Sequence, residues 1–236
     1  MIPAVSVVAR LRDIPLPALA WSAVALLGSA LALIFFYAPT DADQGLSQKI
    51  FYIHVPIALT SYACFGWGAW KALVHLRKRS PGADLKSYAA IHQGVIFGAL
   101  TLLTGSIWAR SSWGIWWTWS SNQLVTFLIL FLFYSAYFML RYSVDPGPRR
   151  ANMSAVYALF GVVLIPVSFL AIRLAEGLIH PVVFDRNVGT NLTTSQIVTF
   201  LVCLAGMLKL ATALYLNELT GKRVDERLRE LRESLA

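Results

Sequence analysis

The sequence is poor in charged residues and in cysteine. Of its 236 residues, 14% are charged and 57% are hydrophobic, whereas ordinary soluble domains carry about 25% charged residues. This composition excludes a disordered chain, a collagen-like chain and an acidic tail. The two cysteines, Cys64 and Cys203, lie inside apolar runs, which excludes a disulfide scaffold. The apolar excess indicates a single-domain polytopic membrane protein.

Enzyme signatures are missing as well. The chain has no Walker phosphate loop, no dinucleotide fingerprint and no CxxC pair. We therefore expect a protein that is not an enzyme and does not hydrolyse ATP by itself. The net charge of +8 is also found in nucleic-acid-binding proteins. Here the basic residues lie in short breaks between apolar runs, which is typical of a lipid-bilayer protein, so we expect no nucleic-acid partner.

Six apolar segments are long enough to cross roughly 30 Å of hydrocarbon, which requires about 20 helical residues. They cover approximately residues 16–38, 50–74, 88–109, 122–142, 154–175 and 195–217. We expect an all-α bundle of six transmembrane helices, because a segment in lipid must satisfy its own backbone hydrogen bonds. Residues 218–236 have alternating charges and helically spaced apolar residues. They predict an amphipathic C-terminal helix, either a solvated extension of the last span or a docking face for a cytoplasmic partner.

The distribution of basic residues predicts the orientation. Most of them precede the first span, follow the last, or lie between spans 2 and 3 and between spans 4 and 5. These are Arg10, Arg12, Arg77, Lys78, Arg79, Lys86, Arg141, Arg149, Arg150, Lys222, Arg223, Arg227, Arg229 and Arg232. Both termini are therefore predicted to be cytoplasmic. The loops 39–49, 110–121 and 176–194 should face the periplasm or the cell exterior.

Tryptophan is concentrated in one of these outer loops. Five of the eight tryptophans lie between Trp108 and Trp119, which is too dense for interfacial anchoring alone. If this stretch is helical, Trp113, Trp116 and Trp117 share one face. Such a face predicts a flat platform for a planar aromatic ligand at the membrane surface.

Two of the four histidines are predicted to lie at the same level as this platform. His54 lies near the outer end of span 2, just before Pro56, whose missing N–H loosens that helical turn. His180 lies in the last outer loop. Two neutral imidazoles on either side of a tryptophan shelf suggest bis-histidine haem ligation. By contrast, we expect His75 to be solvated and His92 to make a polar contact in the bundle, one membrane thickness from His54.

The tryptophan-rich stretch resembles a known family motif. It reads Gly105-x-x-Trp108-Ala109-x-x-x-Trp113-Gly114-x-Trp116-Trp117-x-Trp119, and it is preceded by Gln48-Lys49-Ile50-Phe51-Tyr52-Ile53-His54-Val55-Pro56 and followed by His180-Pro181. Together these resemble the CcmC type among the haem-handling membrane proteins of cytochrome c maturation. The resemblance covers about residues 20–217.

The resemblance implies a function and partners. A CcmC-type protein of the bacterial inner membrane binds haem b transiently as cargo on its outer face and delivers it to the haem chaperone CcmE. It acts beside the ABC-transporter subunits CcmA and CcmB and the small membrane protein CcmD. On this reading the axial ligands of the haem iron are His54 and His180. The platform is formed by Trp113, Gly114, Trp116, Trp117 and Trp119.

Arginines on the outer side are candidates for the haem propionates, which Arg binds well. They are Arg110, Arg173 and Arg186, although snorkelling to lipid headgroups is an alternative. The chain departs from the family where Ser120 replaces the usual Asp after the last Trp. Two alternative functions therefore stay open. One is a scaffold or transporter subunit of the same export complex with a degenerate haem site, and the other is a b-type cytochrome anchor.

Overall fold

The computed structural model describes residues 16–41, 44–174, 184–185, 189–190 and 192–235. Helices account for nearly all of this part of the chain. They are α1 (Leu16–Phe36), a 3-10 helix (Leu46–Ile50), α2 (Phe51–Lys78), α3 (Pro81–Trp113), α4 (Asn122–Tyr142), α5 (Pro148–Val162), α6 (Leu164–Leu174) and α7 (Thr194–Leu235). Between α6 and α7, two-residue strands β1 (Phe184–Asp185) and β2 (Gly189–Thr190) pair antiparallel.

The predicted all-α membrane fold is confirmed. Within the described residues, six helical segments are long and apolar enough to cross a bilayer. The third of them, α3, is longer than the predicted 88–109 at both ends. It begins at Pro81, because Ser80 accepts a hydrogen bond from the backbone of Ala83 and proline suits the first helical position. It ends only at Trp113.

The fifth span is divided into two helices. A break at Val163 separates α5 from α6, where the predicted span runs from 154 to 175 without interruption. The cause lies three residues further on, since Pro166 has no N–H to donate to the carbonyl of Val162. The Val163 N–H bonds instead to the carbonyl of Phe160. The two helices together still form one membrane-crossing segment.

The last span and the C-terminal segment form one helix. α7 has 42 residues, which corresponds to a length of about 63 Å, roughly twice the hydrocarbon thickness. Its first half packs against α1, where Gly206 lies so close to Leu27 that an added Cβ would be 2.7 Å from that side chain. Its C-terminal apolar side chains remain exposed, among them Leu228, Leu231 and Leu235.

The core of the bundle depends on close contacts between α2, α3, α4 and α5. The rings of Phe65 and Tyr134 stack with centroids 4.0 Å apart. Gly94 on α3 and Gly161 on α5 make room for them, because a Cβ at either position would lie within 2.7 Å of a ring atom. In addition, Ser61 on α2 donates to the carbonyl of Gly94 at 2.9 Å. This close packing at small residues follows the usual pattern of membrane helices.

One end of the bundle, here called the arginine end, carries the turns 79–80 and 143–147. Arg141 is buried there and donates two hydrogen bonds to Asp84, at 2.8 and 2.7 Å. The expectation that His75 is solvated is wrong. Its side chain is buried because its Nδ1 donates to the carbonyl of Ser80 at 2.8 Å and its Nε2 contacts Asn152.

The opposite end, here called the tryptophan end, carries the 3-10 helix and residues 114–121. The C-termini of α1 and α3 meet the N-termini of α2 and α4 here. Lys49 is buried and donates to the carbonyls of Ile34 and Ala38, at 2.6 and 3.3 Å, so that it closes the C-terminus of α1. This contact fixes the start of α2, on which His54 is the fourth residue.

Candidate functional site

A cavity opens at the tryptophan end between α2, α3 and α4. It encloses approximately 500 Å³ of empty space when the open solvent at its mouth is counted. Its lining is mostly apolar and aromatic with a few polar groups. The lining residues are His54, Ala58, Thr101, Leu102, Gly105, Ser106, Trp108, Trp113, Trp117, Gln123, Leu124 and Phe127.

His54 forms part of this wall and is held by α3. Its Nδ1 lies 2.9 Å from the hydroxyl oxygen of Thr104. The ring also lies against the backbone of Gly105, where an added Cβ would be 3.0 Å from His54 Cε1. Because any side chain at position 105 would press on the imidazole, glycine is needed for this approach. The structure therefore brings His54 together with the start of the tryptophan-rich motif.

The tryptophans do not share one helical face. α3 ends at Trp113 because Gly114 adopts a left-handed conformation with φ 75° and its N–H bonds to the carbonyl of Arg110. Residues 115–121 are not helical. The conditional expectation of a helical platform formed by Trp113, Trp116 and Trp117 is therefore wrong.

Instead, the tryptophans divide into two groups. Trp108, Trp113 and Trp117 line the cavity, and the rings of Trp108 and Trp113 meet edge to face with centroids 4.8 Å apart. Trp116 and Trp119 are 59% and 72% exposed. The motif thus supplies three indoles to a wall and two to the surface beside its mouth.

Two polar atoms of the lining residues are buried without a hydrogen-bond partner among the described residues. They are the indole nitrogen of Trp117 and the amide oxygen of Gln123. A buried polar group without a partner costs about 1–3 kcal/mol, so a site that retains two such groups suits a ligand with polar atoms of its own. The wall of this cavity therefore suits the mostly apolar surface of a ligand that also has polar atoms.

The remaining predicted site residues are only partly placed. Arg110 is exposed, and its guanidinium donates to the carbonyl of Gly114, which closes the end of α3. His180 and Arg186 lie outside the described residues, as does the side chain of Arg173. Of the predicted set, the structure brings His54, Trp113 and Trp117 together around the cavity.

The sequence reasoning missed Thr104 and Gln123. Thr104 stands directly before the first glycine of the motif, and it lies 50 positions from the histidine it contacts. Only the register between α2 and α3 shows that contact. Gln123 is the second residue of α4. The sequence signal for Gln123 is its place as a polar side chain just inside the start of an apolar span.

His92 belongs to a different part of the molecule. Its Nδ1 donates to Glu218 on α7 at 2.9 Å, and the neighbouring Gln93 donates to the same carboxylate at 2.8 Å. The predicted polar contact within the bundle is confirmed. Thr104, which contacts His54, is 12 residues from His92 on the same helix, or about 18 Å along its axis. This separation is shorter than the predicted membrane thickness, but too long for one iron atom to bridge.

Comparison with known proteins gives the family of this chain. The family described as heme exporter protein C matches residues 3–234. The heme exporter protein C of Bradyrhizobium diazoefficiens is 35% identical over 89% of this chain and 77% of its own length. That of Haemophilus influenzae is 28% identical, over 82% and 78%. That of Escherichia coli K12 is 32% identical, over 64% and 62%.

The chain therefore belongs to the heme exporter protein C family. This confirms the resemblance to the CcmC type that the sequence motifs indicated. The family is one of transport components that handle haem and not of enzymes, in agreement with the prediction. The part of the chain that the structure describes has six helical segments long and apolar enough to cross a membrane, so the protein is a multi-pass membrane component of this kind.

Proposed function

We propose that this protein binds haem as transient cargo in the cavity at the tryptophan end and delivers it to a haem chaperone for cytochrome c maturation. The observation that supports this most strongly is the juxtaposition of one imidazole, His54, with the indoles of Trp108, Trp113 and Trp117 around an open cavity. An imidazole is an ordinary axial ligand for haem iron. Indole rings provide the flat apolar contact that a porphyrin requires.

In this proposal the iron lies between His54 and His180. His54 is held at the cavity wall by Thr104 and Gly105. The role of His180 rests on the family resemblance and on its predicted position in an outer loop. Two neutral histidines would give a low-spin iron, and loss of either would leave an open coordination position.

The porphyrin would contact both groups of tryptophans. Trp113 and Trp117 lie in the wall, and Gly114 allows the chain to turn from α3 toward the exposed rings of Trp116 and Trp119. The propionates would then lie near the polar groups at the mouth. Candidates for these contacts are Arg110, Arg173 and Arg186, together with the N–H of Trp117, which has no hydrogen-bond partner among the described residues.

The family resemblance supports the partners and the location that we propose. We place the protein in the bacterial inner membrane, with the tryptophan end toward the periplasm and both termini in the cytoplasm. The cargo is haem b and its acceptor is the chaperone CcmE. The ABC-transporter subunits CcmA and CcmB and the small protein CcmD would assemble with this chain.

A transfer assay tests delivery. This protein and the chaperone are expressed in the same cells, and the haem content of each is measured after purification. His54→Ala and His180→Ala should each lower haem in both proteins, because an axial bond is lost before transfer. A normally loaded chaperone in both variants would contradict the proposal. His92→Ala is the matched control and should leave both values unchanged, since it removes an imidazole from the arginine end.

Accessibility to a membrane-impermeant thiol reagent tests the orientation. Single cysteines replace Arg79 or Arg149 at one end and Trp119 at the other, in a background with Cys64 and Cys203 changed to Ser. We expect labelling of intact cells, with the outer membrane permeabilised, at 119 only. Labelling of 79 or 149 instead would reverse the orientation and place the cavity on the cytoplasmic side.

A further inference from the structure

Two basic residues toward the arginine end have no acidic partner in the part of the chain that the structure describes. Lys71 lies on α2 and Arg223 lies on α7, and both side chains are partly buried. Neither belongs to an ion pair formed among the described residues. Lys and Arg are seldom withdrawn from water without a partner. The two cations therefore suit an anion that comes from outside the chain.

An indole and a phenol connect these two cations, and together the four residues are here called the α2–α7 cluster. The ammonium nitrogen of Lys71 lies 4.1 Å from the centre of the Trp67 ring. The Trp67 N–H donates to the hydroxyl of Tyr215 at 3.3 Å, and the charge of Arg223 acts on the same hydroxyl. Helical side chains lean toward the N-terminus of their helix. Lys71 and Arg223 therefore both lean back toward the contact between Trp67 and Tyr215.

The hydroxyl of Tyr215 has a hydrogen left to donate. An indole nitrogen can only donate, so the phenol oxygen is the acceptor in its contact with Trp67. Its own hydrogen has no acceptor among the described residues. The cluster thus offers two positive charges and one hydroxyl donor, and it contains no carboxylate. This combination fits a phosphate group, which has oxygen acceptors and a negative charge.

The position of the cluster along the helices corresponds to the depth of lipid headgroups. Lys71 lies just inside the end of the predicted span 50–74, and Arg223 lies just beyond the end of the predicted span 195–217. Trp67 is 47% exposed, and tryptophan prefers this interfacial zone. Lipid is in contact with the bundle wherever its surface faces the bilayer. A phosphate at this place is therefore supplied by a lipid before it is supplied by a protein.

We propose that the α2–α7 cluster is a binding site for an anionic phospholipid. Lys71 and Arg223 balance the charge of its phosphate, Tyr215 donates a hydrogen bond to a phosphate oxygen, and the exposed ring of Trp67 packs against the glycerol and the upper acyl chains. Basic pockets between transmembrane helices are typical sites for anionic headgroups. A lipid bound here bridges α2 and α7. The site is separate from the haem cavity and does not depend on the proposed function.

Native mass spectrometry of the full chain in detergent tests the proposal by measuring the affinity for the first bound lipid. Phosphatidylglycerol is compared with phosphatidylcholine, which has the same phosphate but no net charge. We expect the wild type to prefer phosphatidylglycerol by about fivefold or more, the usual contribution of one Lys or Arg to binding an anionic lipid. Lys71→Gln and Arg223→Gln should each weaken phosphatidylglycerol binding by about fivefold. Equal affinities of the wild type for the two lipids would overturn the proposal.

Matched variants separate the cluster from the net charge of the protein. Arg149→Gln removes one positive charge from an exposed position at the start of α5, and it should bind phosphatidylglycerol as the wild type does. Lys71→Arg keeps the charge and should also retain the affinity. If Arg149→Gln weakened binding as much as Lys71→Gln, the lipid would respond to charge alone and the proposal would fail. Should the charge variants not fold, Tyr215→Phe removes only a hydroxyl and should weaken binding by about two- to tenfold.

Two further measurements distinguish the lipid from other anions. Excess inorganic phosphate should not displace phosphatidylglycerol, because it has no acyl chains to pack against the helices. Displacement would identify a site for a free anion and overturn the assignment to a lipid. Purification from cells tests a protein partner. If the combined Lys71→Gln and Arg223→Gln variant lost co-purifying membrane proteins but bound phosphatidylglycerol normally, the cluster would be a protein interface and the proposal would be wrong.

Discussion

The two ends of the bundle treat their polar groups differently. At the arginine end, the guanidinium of Arg141 is matched by the carboxylate of Asp84, and His92 shares Glu218 with Gln93. Both sides have buried polar atoms without partners among the described residues, but those of Trp117 and Gln123 belong to residues that line the cavity at the tryptophan end, whereas Gln93 and Ser154 do not line it. The ion pairs and hydrogen bonds at the arginine end join helices to one another. At the tryptophan end, the two polar groups lie around a cavity, which is an arrangement that suits a ligand.

The histidines show the same difference in another way. His92 donates to a carboxylate on another helix, which ties α3 to α7. His54 Nδ1 lies 2.9 Å from the hydroxyl oxygen of Thr104, at the wall of the cavity. The first arrangement ties two helices together. The second orients an imidazole ring at the cavity.

The largest expected effect is on stability at the arginine end. Asp84→Ala leaves the buried guanidinium of Arg141 without its carboxylate, and loss of one partner of a buried ion pair costs about 3–5 kcal/mol. Thermal unfolding in detergent should show a large fall in the midpoint. The control is Glu230→Ala, which breaks the exposed pair with Arg227 and should change stability by no more than about 1 kcal/mol. Equal midpoints for the two variants would contradict the structural role of the Asp84 pair.

A glycine pair tests the packing between the two ends. Gly94→Ala places a Cβ 2.5 Å from the ring of Phe65, and overpacking of this kind costs about 1–3 kcal/mol. Gly66→Ala, in the middle of α2, meets open space and should stabilise the helix by about 0.5–1 kcal/mol. The two variants should therefore shift the unfolding midpoint in opposite directions. A shift of the same sign in both would show that the contact between α2 and α3 is looser than described.

The two groups of tryptophans should contribute unequally to haem binding. Trp117→Ala removes a cavity-lining ring, and stacking on an aromatic ring is worth about 0.5–1.5 kcal/mol beyond area burial. Haem affinity should therefore fall by up to about tenfold. The exposed Trp116 provides the matched control, and Trp116→Ala should have a smaller effect. If Trp116→Ala weakened affinity more, the haem would lie on the surface and not in the cavity.

The smallest effect on haem binding is expected at Ser120. Its hydroxyl lies 2.7 Å from that of Thr118 on the exposed part of the loop, away from the residues that line the cavity. Ser120→Asp introduces the carboxylate that the resemblance to the CcmC type leads us to expect here, and it should change transfer to the chaperone more than haem binding. Haem content of both proteins in the same cells measures this. Equal values for wild type and variant in both proteins would show that position 120 affects neither haem binding nor transfer.

The sequence allowed prediction of the features that depend on long apolar runs and helical spacing. The six spans and the polar contact of His92 are of this kind. Features that depend on the register between helices could not be predicted from the sequence. Burial of His75 requires Asn152 from α5, and the Thr104 contact joins residues 50 positions apart. The end of α3 at Trp113 could have been predicted from the sequence, because a glycine directly after the last helical residue is a common stop signal.

The central claim is that haem is held at the tryptophan end through His54. The most direct test is the absorption spectrum of the purified protein with ferric haem, recorded for the wild type, His54→Ala and His92→Ala. We expect a low-spin Soret spectrum for the wild type and for His92→Ala. In His54→Ala we expect a high-spin spectrum or loss of the band. A spectrum unchanged in His54→Ala and altered in His92→Ala would move the haem to the arginine end and contradict this account.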